Sequence, residues 1–270
     1  MPTERVAGRG WPRFVLGYLV LWGVLAGISE WDATGRWGLV ILLAVAVTAL
    51  AVERLIFGTP LTAAVRTLGL GRPNRRALLW AAAASIAVLA VYPVAAALTG
   101  AHFTLVADWP WILIGLFVFH GLAEELVWRG FVFRRLSAGH SFVAAVLWSM
   151  PFVALAHVPI FFRGGPVVAV GALAVAAVTS VPLSALYLRG NQTIWAPALV
   201  HTAIDSFKLV IVPAAALQSF SLLLVVFSLV GPLVVLVDRA GSKESRRPPL
   251  TDLEASSGGS GVLPRNQLSR

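Results

Sequence analysis

The chain has 270 residues, of which 58% are hydrophobic and 12% charged, with a formal net charge of +9. A soluble globular protein is nearer half apolar and a quarter charged, so this chain lacks the polar surface for water and needs lipid as its solvent. The absence of cysteine excludes disulfides, a thiolate nucleophile and cysteine-ligated metal sites. Because the basic residues lie between apolar runs, membrane topology explains them better than a nucleic-acid partner does.

Long apolar runs predict a bundle of membrane helices. A transmembrane helix needs about 20 mostly apolar residues. We therefore predict an all-α, polytopic bundle of about eight transmembrane helices. The predicted spans are residues 12–29, 37–57, 77–99, 109–135, 141–161, 167–188, 193–214 and 218–237.

Composition divides the chain into four regions. Residues 1–108 hold the N-terminal membrane helices, with an interfacial segment near 58–76 in which Pro and Gly breaks accompany basic residues. Residues 109–208 form a core that contains polar side chains, and residues 209–238 form the C-terminal membrane helices. Residues 239–270 are rich in Ser, Gly, Pro and charge, which predicts a disordered cytoplasmic tail.

The basic residues predict the orientation. All but four of the 21 lysines and arginines fall in the N-terminal segment, the even-numbered loops and the tail. Arg36, Arg163 and Lys208 fall on the other side, and Arg129 lies within a span. Since cytoplasmic loops carry an excess of Lys and Arg, we predict a multi-pass protein of the inner (plasma) membrane with both termini in the cytoplasm.

The fourth predicted span contains charged side chains, which are costly in a bilayer and are therefore candidates for function. Glu125 and Arg129 are four residues apart, so they can pair on one helix face. Glu124 points to a different face and lacks such a partner, which leaves its carboxylate available as a general base. We interpret His120 in the same span as a structural hydrogen-bonding group.

The fifth and seventh spans add further polar residues. His201 and Asp205 are four residues apart in the seventh span, and His157 lies late in the fifth. With Glu124 they can hold a zinc ion that activates water, or act without a metal, with the imidazoles holding an oxyanion. His157 lies too far across the membrane to reach the others unless its helix breaks at Pro151 or begins later than predicted.

These motifs resemble those of the CAAX protease and bacteriocin-processing (CPBP, or Abi) family of intramembrane proteases, over about residues 109–208. That family carries E-E-x-x-x-R, F-x-x-x-H and H-x-x-x-N or H-x-x-x-D on separate membrane helices. Here Val153 occupies the Phe position, and Asp205 stands where Asn is more familiar. The three motifs read Glu124-Glu125-Leu126-Val127-Trp128-Arg129, Val153-Ala154-Leu155-Ala156-His157 and His201-Thr202-Ala203-Ile204-Asp205.

The resemblance implies an endopeptidase that hydrolyses a peptide bond of a membrane-associated peptide or protein, at or within the bilayer. Glu124 would activate the attacking water, while His157, His201 and Asp205 would bind a metal or stabilise the oxyanion. A carboxylate at Asp205 favours a divalent cation such as zinc more than Asn would, yet a metal-free mechanism stays open. The implied catalytic residues are Glu124, Glu125, Arg129, His157, His201 and Asp205, of which Glu124, His157, His201 and Asp205 are also candidate metal ligands.

Two other functions use the same residues. In a proton- or ion-coupled transporter, Glu124, His157 and Asp205 would form a relay. No internal repeat is visible in the sequence, which counts against an inverted-repeat transporter. In a non-catalytic membrane scaffold or bacteriocin immunity protein, the pocket would only bind a partner, and Glu124→Gln would leave the phenotype intact.

Overall fold

The computed structural model describes residues 10–30, 32 and 34–237. The tail predicted to be disordered, at 239–270, lies outside the described residues. The described part is almost entirely helical, which confirms the predicted fold class. In chain order the α-helices are α1 (Gly10–Ser29), α2 (Gly38–Leu55), α3 (Leu61–Thr67), α4 (Arg75–Leu89), α5 (Val91–Thr99), α6 (Trp109–Leu116), α7 (Arg134–Ser137), α8 (Phe142–Arg163), α9 (Gly165–Arg189), α10 (Trp195–Ile204) and α11 (Leu217–Val230).

Shorter elements connect these helices. Two π-helical segments, Phe117–Ala123 and Leu126–Phe133, join α6 and α7 into one helix, hereafter helix 109–137. Two-residue strands β1 (Thr104–Leu105) and β2 (Val210–Ile211) pair in antiparallel fashion. Three 3-10 segments cover Asp205–Leu209, Ala214–Ala216 and Gly231–Val237.

Seven helices of the described part are long and apolar enough to cross a membrane. α4 and α5 count as one of them, Arg75–Thr99, with a break at Ala90. Pro93 explains the break, because its ring clashes with the carbonyl group four residues earlier and it lacks an N–H. The seven spans are Gly10–Ser29, Gly38–Leu55, Arg75–Thr99, Trp109–Ser137, Phe142–Arg163, Gly165–Arg189 and Ala214–Val237.

The remaining predicted span, 193–214, is shorter than expected. Its helix, α10, has 10 residues and continues into the 3-10 segment Asp205–Leu209. At 1.5 and 2.0 Å per residue, the two together cover about 25 Å, close to the hydrocarbon thickness of a bilayer. The prediction extended the span too far because Val210–Ile211 is apolar, but these residues pair as a strand with β1.

Contacts between loops show that α10 runs from one end of the bundle to the other. At its start, the Ile194 N–H donates to the Gly69 carbonyl, beside the interfacial segment. At its far end, β2 pairs with β1, which precedes helix 109–137. The chain therefore crosses the bundle eight times. We call the end with loops 56–74, 138–141 and 190–194 the basic end, and the end with loops 30–37, 100–108 and 210–213 the opposite end.

The bundle exposes apolar side chains outward, as a protein in lipid does. Leu43, Leu79 and Leu222 are each more than 60% exposed. The buried interior includes an aromatic group in which Phe14 stacks on Phe131, with ring centroids 5.8 Å apart. Since lipid tails are as apolar as leucine, close packing and internal polar contacts hold such a bundle together.

Ion pairs and a capped turn order the opposite end. Arg36 pairs with Asp108, and Arg163 pairs with Glu30, so both contacts join loops that are distant in sequence. Burial raises the pKa of Asp32. However, hydrogen bonds from the Thr34 side chain and from nearby backbone N–H groups outweigh burial and hold that pKa below its usual value.

Candidate active site

Helix 109–137 supplies the two adjacent glutamates from its middle. Glu124 and Glu125 lie between the two π-helical segments, and almost every residue from 115 to 136 is buried or nearly so. A π-turn widens the helix by one residue, and such turns are frequent at functional sites. The four-residue spacings predicted from the sequence persist, because His120 contacts Glu124 and Glu125 contacts Arg129.

Glu125 forms a buried three-residue network. Its Oε1 accepts hydrogen bonds from Arg129 Nη1 at 2.7 Å and His201 Nδ1 at 2.8 Å. The Glu125 side chain is 0% exposed and that of Arg129 is 5% exposed. Removing one member of a buried ion pair leaves an unpaired charge and typically costs about 3–5 kcal/mol. The pair predicted from the sequence therefore exists, and it also fixes the His201 ring.

Glu124 has a different hydrogen-bond partner and approaches the other nitrogen of His201. Its Oε1 lies 2.7 Å from His120 Nδ1, while its Oε2 lies 3.6 Å from His201 Nε2. No arginine or lysine lies within ion-pair distance of Glu124 among the described residues. The two neighbouring glutamates thus have different partners, as their positions on the helix predicted.

Asp205 completes the cluster from the start of the 3-10 segment after α10. Its Oδ2 lies 3.7 Å from His201 Nε2 and 3.5 Å from His120 Nδ1. Because His201 Nδ1 is used by Glu125, the ring presents Nε2 to Glu124 and Asp205. Separations of 3.6–3.7 Å are too long for direct hydrogen bonds.

His157 is not brought into this cluster. α8 continues through Pro151 as far as Arg163, so the break predicted to bring His157 level is not present. His157 Nδ1 lies 2.8 Å from the Val153 carbonyl oxygen, and no carboxylate of the described part is within 4 Å of the ring. The Nδ1–H therefore donates to that carbonyl, which leaves Nε2 as the free nitrogen.

The four candidate metal ligands are not assembled as one group in the described residues. No group of three or more His, Asp or Glu side chains in the described ranges has metal-binding geometry. Glu124 Oε1 and His201 Nδ1 already have protein partners, and His157 stands apart. We therefore derive no step through a metal.

Two members of the cluster were not predicted from the sequence. His120, interpreted as structural, contacts Glu124 directly. Lys208, counted only as a loop charge, places its Nζ 2.6 Å from His120 Nε2 and 3.8 Å from Asp205 Oδ1. The four-residue spacing places His120 on the same face as Glu124, but it does not by itself distinguish a structural histidine from a member of the site. The three-residue spacing of Asp205 and Lys208 is the signal that would have revealed Lys208.

Small residues allow the elements of the site to meet. A Cβ atom added to Gly121 would lie 2.7 Å from Thr202 Oγ1 and 3.0 Å from the Ala198 carbonyl oxygen. Helix 109–137 and α10 therefore touch backbone to backbone, one turn from His201. This close approach brings the His201 ring within reach of both glutamates.

The cluster becomes more exposed toward the opposite end. The side-chain exposure rises from 0% at Glu125 to 17% at Glu124 and 21% at Lys208. An apolar cavity of about 330 Å³ lies at that end. Ser206 and Leu209, which flank Lys208, form part of its lining, and the Ser206 hydroxyl bonds to Tyr92 Oη at 2.8 Å.

The fold and this cluster define a class: a multi-pass membrane protein with ionisable residues buried inside its helix bundle. Residues 106–207 match the family model of Rce1-like type II CAAX prenyl endopeptidases. The match is consistent with a CPBP intramembrane protease, and it confirms the resemblance recognised from the three motifs. Comparisons with curated proteins and with solved structures gave no match.

Proposed function

We propose that this protein is an intramembrane endopeptidase that uses Glu124 to activate water. The single observation that carries the proposal is the convergence of Glu124 Oε2 and Asp205 Oδ2 on His201 Nε2, at separations of 3.6 and 3.7 Å from the imidazole nitrogen. A water there would contact a carboxylate base and an imidazole together. The Rce1-like match supports hydrolysis at the family level.

The reaction follows from the roles of these groups. Glu124 removes a proton from the water, and the resulting hydroxide forms a C–O bond to the carbonyl carbon of the scissile peptide. A proton on His201 Nε2 donates to the oxyanion, and Glu125 holds that ring from its other nitrogen. Glu124 then gives its proton to the amide nitrogen as the C–N bond breaks, releasing an amine and a carboxylic acid.

The charges of the cluster suit this proton transfer. Glu124, Glu125 and Asp205 bring three carboxylates, and Arg129 and Lys208 bring two cations. One proton on an imidazole therefore makes the whole cluster neutral, which suits its partly buried position because an uncompensated charge inside a bilayer is costly. Asp205 faces His201 Nε2 and stabilises a proton at that position.

The substrate is proposed to be a membrane-associated peptide or protein. The matched family model refers to prenyl substrates, so the first assay uses a farnesylated peptide ending in Cys-a-a-X and the same peptide without the lipid. The full chain in nanodiscs is incubated with each peptide, and the products are identified by mass spectrometry. Membranes from cells expressing the protein are searched for new peptide N-termini in parallel.

Glu124→Gln tests the proposed base. Because Gln cannot accept the proton, we expect kcat to fall by about 10²- to 10⁴-fold, the usual contribution of a general base. Glu30→Gln is the matched control, since Glu30 is half-exposed and pairs only with Arg163 at the opposite end. Equal rates of cleavage by the wild type and Glu124→Gln would exclude Glu124 as the base. No cleavage of either peptide or of membrane proteins by the wild type would refute the protease and favour a scaffold or immunity protein.

A further inference from the structure

Lys208 and His120 form a hydrogen-bonded pair behind Glu124. Lys208 Nζ lies 2.6 Å from His120 Nε2, and His120 Nδ1 lies 2.7 Å from Glu124 Oε1. The three side chains come from two elements, helix 109–137 and the 3-10 segment after α10. Lys208 lies one residue beyond the segment that matches the family model.

The position of the imidazole proton follows from these contacts. An ammonium group has only donors, so His120 Nε2 must accept from Lys208. The single ring proton then lies on Nδ1, where it donates to Glu124 Oε1.

This arrangement determines which oxygen of Glu124 remains available. Oε1 is held by His120, so Oε2 faces His201 and the space proposed for the water. Asp205 contributes to the same geometry, because its Oδ1 lies 3.8 Å from Lys208 Nζ and its Oδ2 lies 3.5 Å from His120 Nδ1.

We propose that Lys208 is a positioning residue that fixes His120 in the Nδ1–H tautomer and thereby orients the Glu124 carboxylate toward the reacting water. The proposal deepens the proposed function and rests on it for its effect on catalysis. The predicted tautomer of His120 does not depend on the proposed function, because it is a property of the resting protein. Lys208 does not touch the reacting atoms in this scheme.

The tautomer is measured by ¹⁵N NMR of the full chain in nanodiscs, labelled only at histidine. Protonated and unprotonated imidazole nitrogens have well-separated ¹⁵N chemical shifts. The His120 signals are assigned by their loss in His120→Gln. We expect Nδ1 to be protonated in the wild type and in Lys208→Arg, which keeps a donor. In Lys208→Met we expect a mixture that includes the Nε2–H form, because the donor to Nε2 is gone.

The control for folding is internal to the spectrum. The signal of His140, which lies in a loop at the basic end, should not move in Lys208→Met. Arg36→Met removes another cation at the opposite end and should leave His120 unchanged. An unaltered Nδ1–H signal in Lys208→Met, or an Nε2–H tautomer in the wild type, would overturn the proposal whether or not the protein cleaves peptides.

Turnover provides the second readout. If the peptide assay gives a substrate, Lys208→Met should lower kcat by about 10- to 100-fold, the range for groups that orient a functional side chain. KM should stay within about twofold, since Lys208 does not bind substrate in this scheme, and Lys208→Arg should recover most of kcat. A changed His120 tautomer with unchanged kcat in Lys208→Met would show that the Lys208–His120 pair exists but does not position Glu124, which would overturn the catalytic part of the proposal.

Discussion

At the residue scale, the two adjacent glutamates differ because of their surroundings. Glu125 shares a single oxygen between Arg129 and His201, so it acts as a fixed anchor for the imidazole. Glu124 has one oxygen bonded to His120 and the other directed at His201 Nε2. A rotation of about 100° between neighbours on a helix is enough to separate the two roles.

His157 is the residue whose role most needs an experiment. Its Nδ1 is bonded to the Val153 carbonyl, and no carboxylate of the described part lies within 4 Å of the ring, so the proposed reaction does not use it. We therefore predict that His157→Asn lowers kcat by far less than the about 10²- to 10⁴-fold expected of a general base. Steady-state kinetics with the peptide found in the first assay measures this effect.

The matched control for His157 is His140→Asn. The His140 ring also bonds a backbone carbonyl, that of Leu136, but it lies on an exposed turn at the basic end. A larger fall of kcat in His157→Asn, with His140→Asn unchanged, would contradict the prediction and show that α8 contributes to the reaction. Loss of activity with a chelator, restored by zinc, would show that the metal-dependent alternative operates.

At the scale of elements, the contact between helix 109–137 and α10 controls the site. Gly121 permits this contact, because any side chain there meets Thr202 and the Ala198 carbonyl. We predict that Gly121→Ala lowers the free energy of unfolding by about 1–3 kcal/mol through overpacking. It should also reduce kcat about 10-fold or more, since displacing α10 moves His201 relative to Glu124.

Gly23→Ala and Gly27→Ala are the controls for this substitution. Both glycines lie in α1, and a Cβ atom at either would meet nothing within 4 Å. Alanine favours a helix over glycine, so these variants should be neutral or slightly more stable. Thermal unfolding in one detergent and peptide cleavage compare all three, and a Gly121→Ala protein as stable and active as the controls would contradict the proposed contact.

A second element-scale feature anchors helix 109–137 at the basic end. Arg135 Nη2 donates to the buried Glu53 Oε1 at 2.6 Å, and its guanidinium lies 4.0 Å from the ring centroids of both Phe57 and Phe131. Thr59 Oγ1 donates to the other Glu53 oxygen at 3.0 Å. Cation–π and ionic contacts together fix the helix ten residues beyond Glu125, which stabilises its register in the bundle.

At the scale of the whole molecule, the eight crossings place both ends of the described chain at the basic end. The absence of cysteine allows single cysteines to report which side each loop occupies. We predict that His102→Cys and Ala214→Cys react with a membrane-impermeant thiol reagent in intact cells. Arg72→Cys should react only after the membrane is opened, because positive loops stay in the cytoplasm.

All three positions are exposed in the fold, so accessibility to the reagent depends on the side of the membrane. Ala214 is the informative one, since it follows α10. Protection of Ala214→Cys in intact cells would mean that α10 does not complete a crossing. The reverse pattern at all three positions would place the basic end outside.

The sequence by itself determined the class of protein and predicted most residues of its candidate site. The length of the apolar runs and the scarcity of charged residues predict a bundle of membrane helices, because few other structures are stable in lipid. Helical spacing predicts the Glu125–Arg129 pair and the separate direction of Glu124 because side chains four residues apart share a face. The three motifs were sufficient to identify the family.

Only the tertiary structure decided which polar groups meet. His120 and Lys208 are 88 residues apart, and His201 and Glu125 are 76 apart, so no local spacing relates the members of either pair. Their contacts depend on how closely α10 packs on helix 109–137, which Gly121 allows, and on the short 3-10 segment that follows α10. The π-helical segments and the separate position of His157 are likewise results of packing between helices, which a one-dimensional pattern does not contain.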